Sequence, residues 1–199
     1  MVSLTIAAKE GGDYLISEGT HTGILVQMVH LGIKLNHKYP DKNGNPVPDN
    51  KMILVFETPD EVMESGETAG KPKQISQFIN LSLGSEKKPS NMRVIMQAVE
   101  GRSFSNEEAA KFDVFKMLGK SVQLNVVHEV KGDKTSHRIT QHGISPLHKS
   151  IKRESPVAEM LALYLPQYDH EVFKKLPEWI QKMINKDEIP SHLKPVEDF

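Results

Sequence analysis

The sequence predicts a mainly β fold: a five-stranded barrel-like domain with a helix between its third and fourth strands, followed by a helical C-terminal extension. Three observations carry this. Apolar and polar residues alternate with period two along several short runs, as half-buried strands require. Those runs are punctuated by Asn-Gly, Lys-Gly-Asp and proline-rich turn signals. Helical spacing between strands is confined to one stretch, from Ser90 to Leu118, after the third strand.

Residues 1–18 are loosely patterned and are expected to form an arm or strand laid over the barrel. Thr20 to Leu35 reads as a long strand pair, with Thr22, Ile24, Val26 and Met28 on one parity and Gly32 permitting a bend or bulge. Asp41-Lys42-Asn43-Gly44-Asn45 is a turn, lengthened by Pro46 and Pro48. Lys51 to Thr58 is a short apolar run, so a buried strand, and the polar stretch from Pro59 to Lys73 reads as a loop. Gln74 to Leu83 alternates most cleanly, Ile75, Ile79, Leu81 and Leu83 against Ser76, Phe78, Asn80 and Ser82.

Ser90 caps a helix through Met92, Val94, Ile95, Ala98 and Val99 that Gly101 stops. Ser105 and Glu108 form a capping box for a second helix, and Asp113 to Leu118 gives a further helical turn. Val122, Leu124 and Val126 mark the fourth strand, and Lys131-Gly132-Asp133 leads back into a fifth over Thr135–Ile144. A basic linker runs from His148 to Ser155. Ser155 and Pro156 signal a helix over Pro156–Leu165; Asp169 and Pro177 start two more, through Phe173 and Trp179. This order is the layout of an OB-fold. It divides the chain into a nucleic-acid-binding domain over 1–150, a helical extension over 151–186 and a flexible acidic tail over 187–199.

The chain has no cysteine, which excludes disulfides, a cysteine nucleophile and a thiolate metal site. No run approaches the roughly 18 apolar residues that span a bilayer, and the N-terminus lacks a signal-peptide pattern, so a cytoplasmic protein is expected. The net charge of −1 conceals a gradient: residues 19–153 carry +5 and residues 154–199 carry −4. A basic body suits a polyanion.

Phe78 is the sharpest internal clue, an aromatic ring on the polar side of its strand, where rings in nucleic-acid binders stack on bases. Tyr39, beside Lys38 and the Asn-Gly turn, is a second candidate. Phe56 lies in an apolar run and reads as core. Lys34, Lys38, Lys42, Lys51, Lys71, Lys73, Lys87, Lys88, Lys134 and Arg138 fall on loops and strand ends, where they would hold phosphates. The nine histidines include no His-Glu-x-x-His pattern, and His137 and His142 have opposite parity, so no metal site is expected. No phosphate-binding glycine loop, nucleophile elbow or paired carboxylate motif is present, so neither an enzyme nor a cofactor is expected. Glu197, Asp198 and Phe199 end the chain as a ligand for a basic groove with an apolar pocket.

Several stretches resemble phage-encoded single-stranded-DNA-binding proteins of the OB-fold class. They are Glu18-Gly19-Thr20, Gly101-Arg102-Ser103-Phe104-Ser105, Leu118-Gly119-Lys120 through Val126, Ile144-Ser145-Pro146-Leu147, and Val172 through Ile180. The Phe-terminated acidic tail is similar as well, although less acidic than is usual there. The resemblance implies sequence-independent binding of single strands in replication or recombination, in the host cytoplasm, and recruitment of replication or recombination enzymes through the tail. A strand-annealing recombination protein, and a phage structural or inhibitor β domain with no nucleic-acid role, remain alternatives. Oligomeric state is left open.

Overall fold

Strand β1 (Gly19–Asn36) is the spine of the molecule, in a computed structural model that describes residues 14–194. One edge of β1 pairs antiparallel with β2 (Val47–Val62). Its other edge pairs antiparallel with β4 (Ser121–Lys131) over residues 19–24. The two strands expected within Thr20–Leu35 are thus one strand. Gly32, at φ +81°, bulges the chain without turning it back, and the reversal comes at the Asn-Gly loop instead.

β3 (Pro72–Asn80) pairs with β2, and β5 (Lys134–Pro146) with β4 across a hairpin in which Gly132 has φ +60°. The loop expected over Pro59–Lys73 is present but shorter: β2 runs on to Val62 and β3 starts at Pro72, leaving residues 63–71, with a 3-10 turn at Gly66–Thr68, between them. Its polar residues find partners: the Glu61 carboxylate accepts from the Ser17 backbone N–H at 3.0 Å and from Lys73 at 3.4 Å. Tertiary pairing overrides the weak strand propensity of these residues.

The helices between β3 and β4 follow their caps. Ser90 accepts the Arg93 N–H at the start of α1 (Asn91–Glu100), which ends at left-handed Gly101. Ser105 and Glu108 form the reciprocal capping box of α2 (Asn106–Lys111), and Asp113 caps a 3-10 turn over Val114–Met117. The stripe differs from the expected one in that Val94 is only half-buried, whereas Met96 and Arg93 are fully buried. Arg93 donates to Asn106 Oδ1 at 2.7 Å and to the Phe104 carbonyl at 2.8 Å, which compensates much of the desolvation of its guanidinium.

The sheet order is β3-β2-β1-β4-β5 and the sheet is open. The expected closure into a barrel is not seen, since no ladder joins β3 to β5 among the described residues. α1 packs against both of these edge strands and, with Met92, Ile95 and Met96, fills the inner core beside Leu25, Met28, Leu54, Phe56 and Ile16.

The C-terminal segment covers the outer face. The helix expected over Pro156–Leu165 is not formed. Leu161, Leu163 and Leu165 repeat every second residue and are all buried, and β6 (Leu161–Leu163) adds in parallel to the edge of β1 beyond β4. A free sheet edge outweighs the Ser-Pro cap signal. α3 (His170–Lys175), capped by Asp169, and α4 (Glu178–Gln181), following Pro177, then bury Phe173, Leu176 and Ile180 against Ile24, Val29, Ile53 and Val55. The tail expected to be flexible from 187 is packed at least to Leu193, with Ile189 buried. Its anchor is Gly32: the Ile33 N–H donates to Glu188 Oε1 at 2.6 Å and the Asn185 N–H to the Leu31 carbonyl at 2.9 Å. A Cβ on Gly32 would lie 2.8–2.9 Å from Glu188 and Asn185. Glu197, Asp198 and Phe199 lie outside the described residues.

Candidate nucleic-acid interface

Register fixes which residues share the outer face at the end of the sheet where β1 and β3 finish. Phe78 lies opposite Ile53, Lys51 is flanked by Gly32 and Asn80, and Lys34 lies opposite Asp49. Cross-strand partners point to one side, so Phe78, Lys51 and Lys34 face the same way. The C-terminal cover stops short of Phe78, which is 47% exposed. With Leu31, Lys34, Lys51 and Met183 it lines a groove of about 340 Å³. Lys51 is held in place there by Asp49 at 2.9 Å and by Asn80. That bond from Lys51, with one from Asn36, holds the Asp49 carboxyl below its ordinary range despite the opposing effect of burial. Lys34 makes no ion pair among the described residues.

The β1–β2 loop continues from this groove and is braced by its own side chains. Asn36 Oδ1 accepts from the N–H groups of Lys38 and Tyr39, at 3.0 and 3.2 Å. Asp41 Oδ1 accepts from Asn43 and Asn45, each at 2.8 Å, and these bonds hold the Asp41 carboxyl below its ordinary pKa. Tyr39 is 66% exposed, with the Lys38 ammonium 5.3 Å from its ring centre. Lys42 is exposed on the same loop, and Lys87 and Lys88 are exposed in the connection that leaves β3 at this end.

The remaining four basic residues lie at the opposite end of the sheet. Lys73 is buried and donates to the Leu15 carbonyl at 2.8 Å and to Glu61, so it anchors the segment before β1 and has no charge to offer a phosphate. Arg138 is paired with Glu129 at 3.2 Å. Lys71 and Lys134 are exposed and unpaired among the described residues. The ten basic candidates therefore divide into six lysines around Phe78 and Tyr39 and a second group of four, of which Lys73 and Arg138 are committed.

Sequence reasoning passed over Trp179 as an interface residue. It is 45% exposed on α4, whereas its neighbour Ile180 is fully buried. Residues 179 and 183 form one stripe at i,i+4 and residues 180 and 184 the next; the second faces the core and the first flanks the outward side of β3. Two adjacent apolar pairs at helical spacing, each starting in α4 and ending just beyond it, were the available signal.

Among the described residues, no group of three metal-ligating side chains converges, and no helix is long and apolar enough to cross a membrane. Neither a family model nor a curated protein matches this chain.

Proposed function

We propose that this protein is a non-enzymatic module that binds single-stranded DNA without sequence preference, acting in replication or recombination in the cytoplasm of a phage host. The observation that supports this most is Phe78, a half-exposed ring on the outward face of β3 between Lys34 and Lys51, beside the braced loop of Lys38, Tyr39 and Lys42. Stacking rings flanked by cations are what a single strand requires, bases on the one and phosphates on the other. The strand order, with helices between β3 and β4, is compatible with a partly open OB-type barrel, in which strands two and three and the loop between strands one and two meet the ligand. The carboxylates of lowered pKa each serve a cap, a turn or an ion pair, which leaves them without an acid–base role. The exposed apolar side chains away from the groove are spread over β1, β2, β4 and the linker, which disfavours a structural role built on one large apolar face.

The test is titration of labelled oligo-dT and of duplex of equal length at two salt concentrations. Single strands are expected to bind more tightly, with an affinity that falls with salt by about −0.7 in the log–log slope per phosphate contact. Phe78→Ala should weaken binding by about 1–3 kcal/mol without a change in melting temperature, because a half-exposed ring leaves no core cavity. Equal affinity for duplex, or binding indifferent to salt, would refute the proposal.

A further inference from the structure

A second cavity, bordered by Trp179 of α4 where the Phe78 groove has Met183, lies between the outward face of β3 and the C-terminal cover. Its volume is about 250 Å³. Gln27, Gln74, Ser76 and His137 border it on one side, Pro177 and Trp179 on the other. Gln27 reaches it through the bulge between Leu25 and Gln27, which sets Gln27 opposite outward-facing Val55. Gln27 is only 7% exposed, and its Oε1 has no hydrogen-bond partner. A buried amide oxygen without a donor costs about 1–3 kcal/mol, so a donor from outside the chain is called for.

The lining says which donor. No uncommitted cation borders the cavity: Lys73, near His137, is occupied by Leu15 and Glu61. The guest is therefore an uncharged group, not a phosphate. Trp179 offers an aromatic wall, and stacking requires a planar guest. Glutamine presents an acceptor and a donor side by side, the complement of a nucleobase edge. His137 adds a donor. Its Nδ1 accepts the Ile16 N–H at 2.9 Å, and burial keeps the ring neutral, so its proton is on Nε2. The volume falls below the roughly 300–1,000 Å³ of pockets for drug-sized molecules and suits a single ring system.

We infer that this cavity takes one unpaired nucleobase, edge-on to Gln27 and stacked on Trp179, and that this is how the protein distinguishes single strands from duplex. The inference rests on the proposed binding of single strands and adds a second base site to it. A base inside a duplex has its pairing edge occupied and its faces stacked, so it cannot enter.

Trp179 is the chain's one tryptophan, so its emission reports on this cavity directly. The full-length protein is titrated with oligo-dT and with an abasic strand of equal length, following Trp179 emission and, in parallel, the anisotropy of a label on the strand. Oligo-dT is expected to quench Trp179 and the abasic strand to leave it unchanged. Gln27→Met, which keeps the length and removes the amide, should bind oligo-dT about 3- to 10-fold more weakly with an unchanged salt slope, and melt no lower than the parent. Trp179→Ala, at a half-exposed position, should weaken binding about tenfold and stands in if Gln27→Met fails to fold. Parental binding by both variants, or equal quenching by the abasic strand, would overturn the inference and leave single-strand binding standing. Absence of any anisotropy change with the parent would instead remove the binding proposal itself, and the base cavity with it.

Discussion

His137 holds the segment before β1 through a lone pair. Its Nδ1 accepts the Ile16 N–H at 2.9 Å, and only the unprotonated nitrogen can do so. Burial, then the nearby charges of His128 and Lys73, lower its pKa below the ordinary 6.5. A histidine lowered in the folded state contributes stability that is complete above its unfolded value. That contribution is lost as pH falls through 6.5 toward the folded value. His137→Phe should therefore be less stable than the parent by about 1 kcal/mol at about pH 8, and the gap should close on acidification. Glu61, on β2 and bonded to the same segment, responds at lower pH: burial raises its pKa, but bonds from Ser17 and Lys73 outweigh this and set it below 4.5. Denaturant melts of parent and variant across this range check the point, and a gap that persists in acid would show that the lone pair is not the link. Arg93 at the same scale shows why burial was hard to read from sequence. Helical spacing marks position 93 as adjacent to the apolar stripe, and only the acceptors at Phe104 and Asn106, brought there by the next turn of chain, make it an interior residue.

β6 has three residues, too few to form by strand propensity alone, and its place is secured by what precedes it. Both oxygens of the Glu57 carboxylate, only 1% exposed, accept backbone N–H groups of the incoming segment, from Val157 at 2.8 Å and Ala158 at 2.9 Å. Removing the carboxylate leaves two N–H groups and a void beneath the segment. Glu57→Ala should cost about 2–4 kcal/mol and expose the connection from His148 to Met160 to protease at a concentration the parent resists. A variant as stable and as resistant as the parent would place the docking energy elsewhere. The elements legible in the sequence were those whose signal is local: the caps at Ser90, Ser105, Asp113 and Asp169, the Asn-Gly loop and the β4–β5 hairpin. Those misread depend on distant partners. The Ser-Pro start before Val157 promised a helix because the edge of β1 that captures Leu161–Leu163 is not visible from within that segment. Phe78 was legible as a candidate because its strand is short and regular. Trp179 was not, because the choice between its stripe and that of Ile180 is made by the sheet against which α4 is laid.

At the scale of the whole chain, charge is divided by position: residues 19–153 carry +5 and residues 154–199 carry −4. The fold brings the acidic part back over the basic part, since Glu188 bonds the Ile33 N–H, one residue from Lys34 on β1. Glu197, Asp198 and Phe199 follow nine residues after that contact. Carboxylates there would compete as anions with the phosphates of a bound strand for Lys34 and its neighbours, and such competition weakens as salt screens it over a Debye length of about 10 Å at 0.1 M. The described residues of the C-terminal segment already supply the outer core through Ile184, Ile189 and Leu193, all before Glu197. Deleting residues 197–199 should therefore leave the melting temperature unchanged. It should leave oligo-dT affinity equal at moderate salt and slightly higher at low salt. If Glu197, Asp198 and Phe199 recruit a replication or recombination enzyme, the same deletion should abolish its capture by the immobilised protein, because the Phe199 ring and both carboxylates are gone. The three measurements separate the roles: a fall in melting temperature would make the tail part of the core, and a loss of oligo-dT binding would make it part of the interface. Retention of the enzyme would move recruitment to another surface, and an affinity gain that did not shrink with salt would mean that the tail acts on the groove by shape instead of by charge.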